Sequence, residues 1–188
     1  LMEDSQTFTD ILSVFAHYGF RKASMADLAE AAGVTRQTLY NRFRTKEAVL
    51  DFAVEGYVRN ALQKASAELN AETASVDSCL LNAFSNWVGN LVSLLKNSPH
   101  GSEVMDMGTQ SIKRSHIDHH LTFEREIAAF LINRGVCKTE SEALDITFLL
   151  MMSSKGLLLK SETGEQFQDG MTRLIRTAVP GLEQPAFN

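Results

Sequence analysis

The chain has 188 residues, enough for one domain or two small ones with a sizeable core. Hydrophobic residues make up 44% and charged residues 22%, as in globular proteins, and no run of about 18 apolar residues offers a membrane span. The formal net charge is −5, yet residues 17–46 carry Arg21, Lys22, Arg36, Arg42, Arg44 and Lys46 against Asp27 and Glu30, a local +4 on a remainder of −9. That balance suits either a solvated surface or a polyanion partner for one segment, and it argues against a protein that organises DNA non-specifically, which spreads basic charge widely.

Helical spacing dominates the chain, and no strand alternation is visible. Phe8, Ile11, Leu12 and Phe15 define one face of a first helix that Gly19 ends. Ser24 and Asp27 form a capping box for a second helix, with Met25, Leu28, Ala29 and Ala32 inward, and Gly33 stops it. Thr35 is a natural N-cap for a third short helix. At 100° per residue Leu39 and Phe43 point inward, Gln37, Thr38 and Asn41 outward, with Arg36 and Tyr40 on one flank and Arg42 on the other. Thr45 caps a fourth helix running to about Leu69 through Leu50, Val54, Tyr57, Ala61 and Ala65.

After a loop at 70–76, residues 76–97 place Leu80, Phe84, Trp87, Val88, Leu91 and Leu95 at helical spacing. A break at 97–102 precedes a weak, interrupted helix at 103–113, and the glycines and methionines of 101–113 predict loose packing and suit a pocket lid. Residues 114–134 carry Ile117, Leu121, Ile127, Phe130 and Leu131. Thr139 with Glu142, and Thr163 with Gln166, open two final helices, the last of which Pro180-Gly181 ends.

Two short helices joined by a glycine turn after a packing helix form a helix-turn-helix. Its second helix enters the major groove and shows its outer residues to base edges. Gln37 and Asn41 suit adenine, arginine suits guanine, and Thr38 and Tyr40 can reach phosphates. Lys46 opens a helix whose amide end and ammonium can address one phosphate. Tyr40 also reads as a packing residue beneath the first helix.

Residues 24–50, SMADLAEAAGVTRQTLYNRFRTKEAVL, resemble the DNA-binding domain of the TetR (tetracycline-repressor) family. The likeness rests on the Ala29–Val34 turn, Thr38-Leu39-Tyr40, Phe43 and Lys46-Glu47-Ala48, and it covers residues 5–55. It implies an all-α protein: a three-helix DNA-binding domain at 1–50, then a helical effector-binding and dimerisation domain at 51–188. It implies that Ser24, Thr35, Arg36, Gln37, Thr38, Tyr40, Asn41 and Lys46 meet DNA, with Tyr40 and Lys46 on phosphates. Gln37 stands where the family often has a small residue, Asn41 and Arg42 where a histidine or aromatic pair is common, and Arg44 where proline is frequent; base preference and phosphate grip shift accordingly.

The same resemblance implies a homodimer through the last two helices, a double-stranded operator and a small-molecule effector that releases it. Leu149, Leu150, Leu157 and Leu158 exceed what one buried face needs, and Ser153, Ser154 and Gly156 permit close helix approach. Phe84, Trp87, Met105, Met107, His116, Phe123 and Met151 are candidates to line an effector pocket for an apolar or flat aromatic ligand; they also read as ordinary core. His116 and His120, four apart, could chelate a metal with His119 beside them and Asp118 near, although no cysteine or glutamate is placed to complete a site. No metal or cofactor is expected, and an activator or a metal-responsive regulator remains an alternative on the same scaffold.

Ser93-Leu-Leu-Lys96 matches one catalytic motif without its companions, and no nucleophile elbow or phosphate-binding loop occurs, so no enzyme is expected. The first ten residues lack a secretory signal's basic and apolar regions, and Cys79 and Cys137 form no CxxC pair, which suits reduced thiols in the cytoplasm.

Overall fold

The computed structural model describes residues 4–179 and Gly181, and every regular element in them is helical. In chain order these are α1 (Ser5–Tyr18), α2 (Met25–Ala31), α3 (Arg36–Arg42), α4 (Lys46–Leu69), α5 (Val76–Phe84), a π-helical turn (Ser85–Gly89), α6 (Asn90–Lys96), α7 (Gly101–Arg114), α8 (His119–Asn133), α9 (Glu140–Lys160) and α10 (Gly164–Ala178). Their contacts sort them into two units. One reaches to Asn60 and includes Ser93–Ile117; the other holds Ala61–Val92 and the residues from Asp118 on. No helix among the described residues is long and apolar enough to cross a membrane.

In the first unit, local chemistry sets the helix ends. Asp4 caps α1 by accepting from the Gln6 N–H. Gly19 closes it at φ +78°, where a side chain would strain the backbone, and returns its N–H to the Phe15 carbonyl at 2.8 Å. Ser24 and Asp27 complete a reciprocal capping box on α2, and Thr35 caps α3 through the Thr38 N–H. Phe8, Ile11, Phe15, Leu28, Leu39, Val49 and Leu50 form the core these helices share.

Two expectations change here. Leu39 is fully buried, but Phe43 lies past the end of α3 as its C-cap, extended and half-buried. It anchors from there, its ring 4.8 Å from that of Phe52 on α4. The Phe8 ring meets Phe52 edge-on at 5.2 Å, in space that Gly56, one turn further, leaves open. Segment 103–113 is not interrupted either: α7 is one continuous helix with Val104 and Ser111 buried. The His100 N–H ahead of it donates to the Ala16 carbonyl at 2.9 Å, and Glu103 accepts from the Phe20 N–H at 3.4 Å. These bonds to α1 and its following loop outweigh weak helix propensity, so the segment packs rather than hanging as a loose lid.

In the second unit, α5 does not run straight to residue 97. It passes into the π-helical turn before α6. Gly89 in that turn lets the Phe167 ring of α10 close in, since an added Cβ would sit 2.9 Å from it. α8 begins at His119, capped by Asp118 through the Leu121 N–H, and Leu121 faces solvent rather than the core. Ile117 is exposed as well. Thr139 caps α9 and Thr163 caps α10; the returning carboxylate of Glu142 and the amide of Gln166 accept from Lys138 N–H and Glu162 N–H, one residue before the cap. α10 ends at Ala178 with Val179 as its C-cap; Pro180, which the sequence reading made part of its stop signal, lies outside the described residues.

Candidate nucleic-acid interface

The turn between α2 and α3 needs a left-handed residue, which Gly33 supplies at φ +65°, and Thr35 then starts α3 with its hydroxyl on the Thr38 N–H at 3.1 Å. Leu39 fixes the helix to the core, so its other residues point out: Arg36, Gln37, Thr38, Tyr40, Asn41 and Arg42 are all exposed. Their polar groups are ordered by each other. The Thr35 and Thr38 hydroxyls lie 2.8 Å apart, and the Gln37 amide donates to the Asn41 carbonyl oxygen at 2.9 Å. The Arg36 guanidinium sits over the Tyr40 ring at 5.4 Å. Tyr40 is 39% exposed, which sets aside a buried packing role beneath α1.

Beside α3 runs an open groove of about 510 Å³, lined by Arg21, Lys22, Ser24, Arg36, Tyr40, Arg44 and Lys46 with Glu47 as its one acid. Cations gathered along a concave surface raise the local potential and favour phosphate oxygens. Arg21, Lys22 and Arg44 were outside the expected contact set; the signals for them were the +4 balance of residues 17–46 and, for Arg44, its place where proline is frequent.

Two expected contact residues are engaged otherwise. The Lys46 ammonium donates to the carbonyls of Phe20, Arg21 and Ala23 at 2.6, 3.1 and 2.9 Å. Its three N–H groups tie down the α1–α2 loop, so its side chain holds the border of the groove in place. The Ser24 hydroxyl donates to Asp27 at 2.6 Å within the capping box. That bond and the Ser24 N–H hold the Asp27 carboxyl below its usual range.

The candidate pocket residues divide between the units. Phe84, Trp87 and Phe123 form one ring cluster in the second, with centroids 5.4 Å apart for Phe84–Phe123 and 4.8 Å for Trp87–Phe123. Met151 is buried in that unit too. Met105, Met107 and His116 belong to the first unit, the methionines half-buried and His116 exposed. His120, absent from that set, meets Trp87 edge-on at 5.0 Å, and its Nδ1 is buried with no hydrogen-bond partner. Burial, reinforced by Lys155, pushes its pKa below the usual value. His116 and His120 do not share one helix face, because α8 begins only at His119. Among the described residues no group of three or more metal-ligating side chains occurs.

Comparison with known proteins bears on this geometry. Residues 11–52 match the family model for bacterial regulatory proteins of the tetR family. The chain is 28% identical over 144 residues to the HTH-type transcriptional repressor ComR of Escherichia coli, covering 73% of this chain and 68% of that protein. Its fold matches a Mesorhizobium loti protein assigned to the TetR family of transcriptional regulators, with a TM-score of 0.61 at 14% identity over 94% of both chains. It also matches a TetR variant from Acinetobacter baumannii in complex with minocycline, with a TM-score of 0.52 at 18% identity over 91% of this chain and 93% of that one. The helix-turn-helix segment at residues 11–52 is thus that of the tetR family of bacterial regulatory proteins, and the fold of the whole chain is the one seen in the TetR-family regulators it matches.

Proposed function

We propose that the protein is a homodimeric repressor that reads a two-fold-related operator through α3 and leaves it when a small molecule binds. The outward polar face of α3 beside the cationic groove carries this reading. Residues 1–50 serve as the reading domain, with Arg36, Gln37 and Asn41 on base edges and Thr35, Thr38 and Tyr40 on the backbone. Arg21, Lys22 and Arg44 add phosphate contacts, while Ser24 and Lys46 shape the loop that borders the groove.

Residues 51–188 supply dimerisation and the effector site. Along α9, Leu144, Phe148, Met152 and Leu159 recur on one face and are all exposed, with Phe148 at 66%. An apolar stripe of that size on a soluble surface calls for a partner, and a second copy gives the symmetry a two-fold operator needs. The neighbouring outer face of α10, with Gln168, Asp169 and Arg173, supplies a polar rim. The ring cluster of Phe84, Trp87 and Phe123 with Met151 suits a flat apolar effector, and the unpartnered Nδ1 of His120 offers it a hydrogen bond. The TetR relative holding minocycline and the repressor ComR are consistent with this reading.

A gel-shift assay with excess random DNA tests the reading. Retention of one specific duplex under competition, reversed by a small molecule, is the expected result. Loss of the shift to random competitor at every duplex tried would overturn it.

A further inference from the structure

The outer face of α3 holds two side-chain amides that are not independent. The Gln37 Nε2–H donates to Asn41 Oδ1 at 2.9 Å across one helical turn, and both residues are exposed. An amide side chain has two N–H donors and one carbonyl oxygen. With this bond made, Gln37 keeps its carbonyl and one N–H. That pair matches the N6 donor and N7 acceptor of adenine. Asn41 has one of its oxygen's two lone pairs engaged and keeps both N–H groups, so donors dominate what it offers. Two donors match guanine, whose N7 and O6 are both acceptors. An unlinked asparagine would instead use its oxygen and one N–H together, which selects adenine. The neighbours do not draw these amides away: the Thr35 and Thr38 hydroxyls hold each other, and Arg36 lies over Tyr40.

We propose that Gln37 and Asn41 read DNA as one linked pair, Gln37 taking an adenine and Asn41 a guanine on the adjacent base pair. Asn41 owes its preference to Gln37 as well as to its own chemistry. The inference rests on the operator-reading role of α3 and adds to it a specific coupling between positions.

The test is selection of bound sequences from a random duplex pool by the wild type, Gln37→Ala and Asn41→Ala. Both sites are on the surface, and thermal unfolding of each variant confirms an intact fold. The wild type should enrich an adenine beside a guanine, each favoured roughly 5- to 160-fold over other bases. Gln37→Ala should lose the adenine and also switch the neighbouring guanine towards adenine, because the Asn41 oxygen is released. Asn41→Ala should lose the guanine and keep the adenine. A Gln37→Ala motif that retains its guanine unchanged overturns the coupling while leaving operator reading intact. So does a wild-type motif with no adjacent adenine and guanine. Absence of any wild-type motif removes the operator-reading role, and the coupling falls with it.

Discussion

Lys46 shows how one side chain can hold the border of the groove in shape. Its ammonium holds three carbonyls of the α1–α2 loop, and Glu103 holds the Phe20 N–H of the same loop. Replacing it with Met keeps the aliphatic stem and removes the donors. Chemical denaturation of Lys46→Met should show a loss of about 1–3 kcal/mol, the cost of leaving such acceptors unmatched. Affinity for all duplexes should fall together, because the loop carrying Arg21 and Lys22 loosens; unchanged stability would show that the three bonds contribute nothing. Sequence reading singled out Lys46 but gave no sign of these bonds, since the carbonyls it meets lie 23 to 26 residues earlier in the chain. The capping residues were legible because their partners are three residues away.

His120 makes a second residue-scale prediction. Burial and Lys155 lower its pKa below the usual 6.5, with Asp118 opposing them and His119 adding to them. The folded state therefore disfavours its proton. Its contribution to stability is complete above 6.5 and is lost as pH falls through the folded value, because the unfolded chain takes up the proton first. Unfolding free energy measured from pH 7.5 down to 5.5 should decline, and the decline should be shallower in His120→Phe. An equal slope in both proteins would contradict this assignment.

At the scale of elements, close approach decides what propensity leaves open. Gly56 lies inside α4, where glycine costs helix stability, yet a Cβ there would run into the Phe8 ring. Gly56→Ala should therefore destabilise by about 1–3 kcal/mol, as overpacking does, despite alanine's better helix propensity. A gain in melting temperature would show that the Phe8 ring can move aside. The same logic separates what was readable from what was not. α1 to α4 follow from apolar spacing and caps alone. The π-helical turn at Ser85–Gly89 was invisible, because an apolar run such as 76–97 looks periodic whether or not one turn is widened. The continuity of α7 was missed because the bonds supporting it come from α1 and its loop.

For the whole molecule, the exposed stripe on α9 is the feature with the largest consequence. Phe148 lies mid-stripe between Leu144 and Met152. Phe148→Arg should leave the fold of one chain intact while shifting its sedimentation from dimer to monomer, and operator affinity should fall at least tenfold as the second half-site is lost. Unchanged dimer mass would place the interface elsewhere. The surplus of apolar residues in residues 140–160 was legible in the sequence. Which of them face outward was not, because a helix apolar on all sides gives no periodic signal.

The most direct measurement of the central claim is selection of bound sequences from a random duplex pool by the wild-type protein at about 0.15 M salt, where non-specific phosphate binding is held down. The account expects one motif repeated in two-fold-related halves, their centres about one helical turn apart or a multiple of it. A pool that stays random through successive rounds, while the protein remains folded, would contradict it.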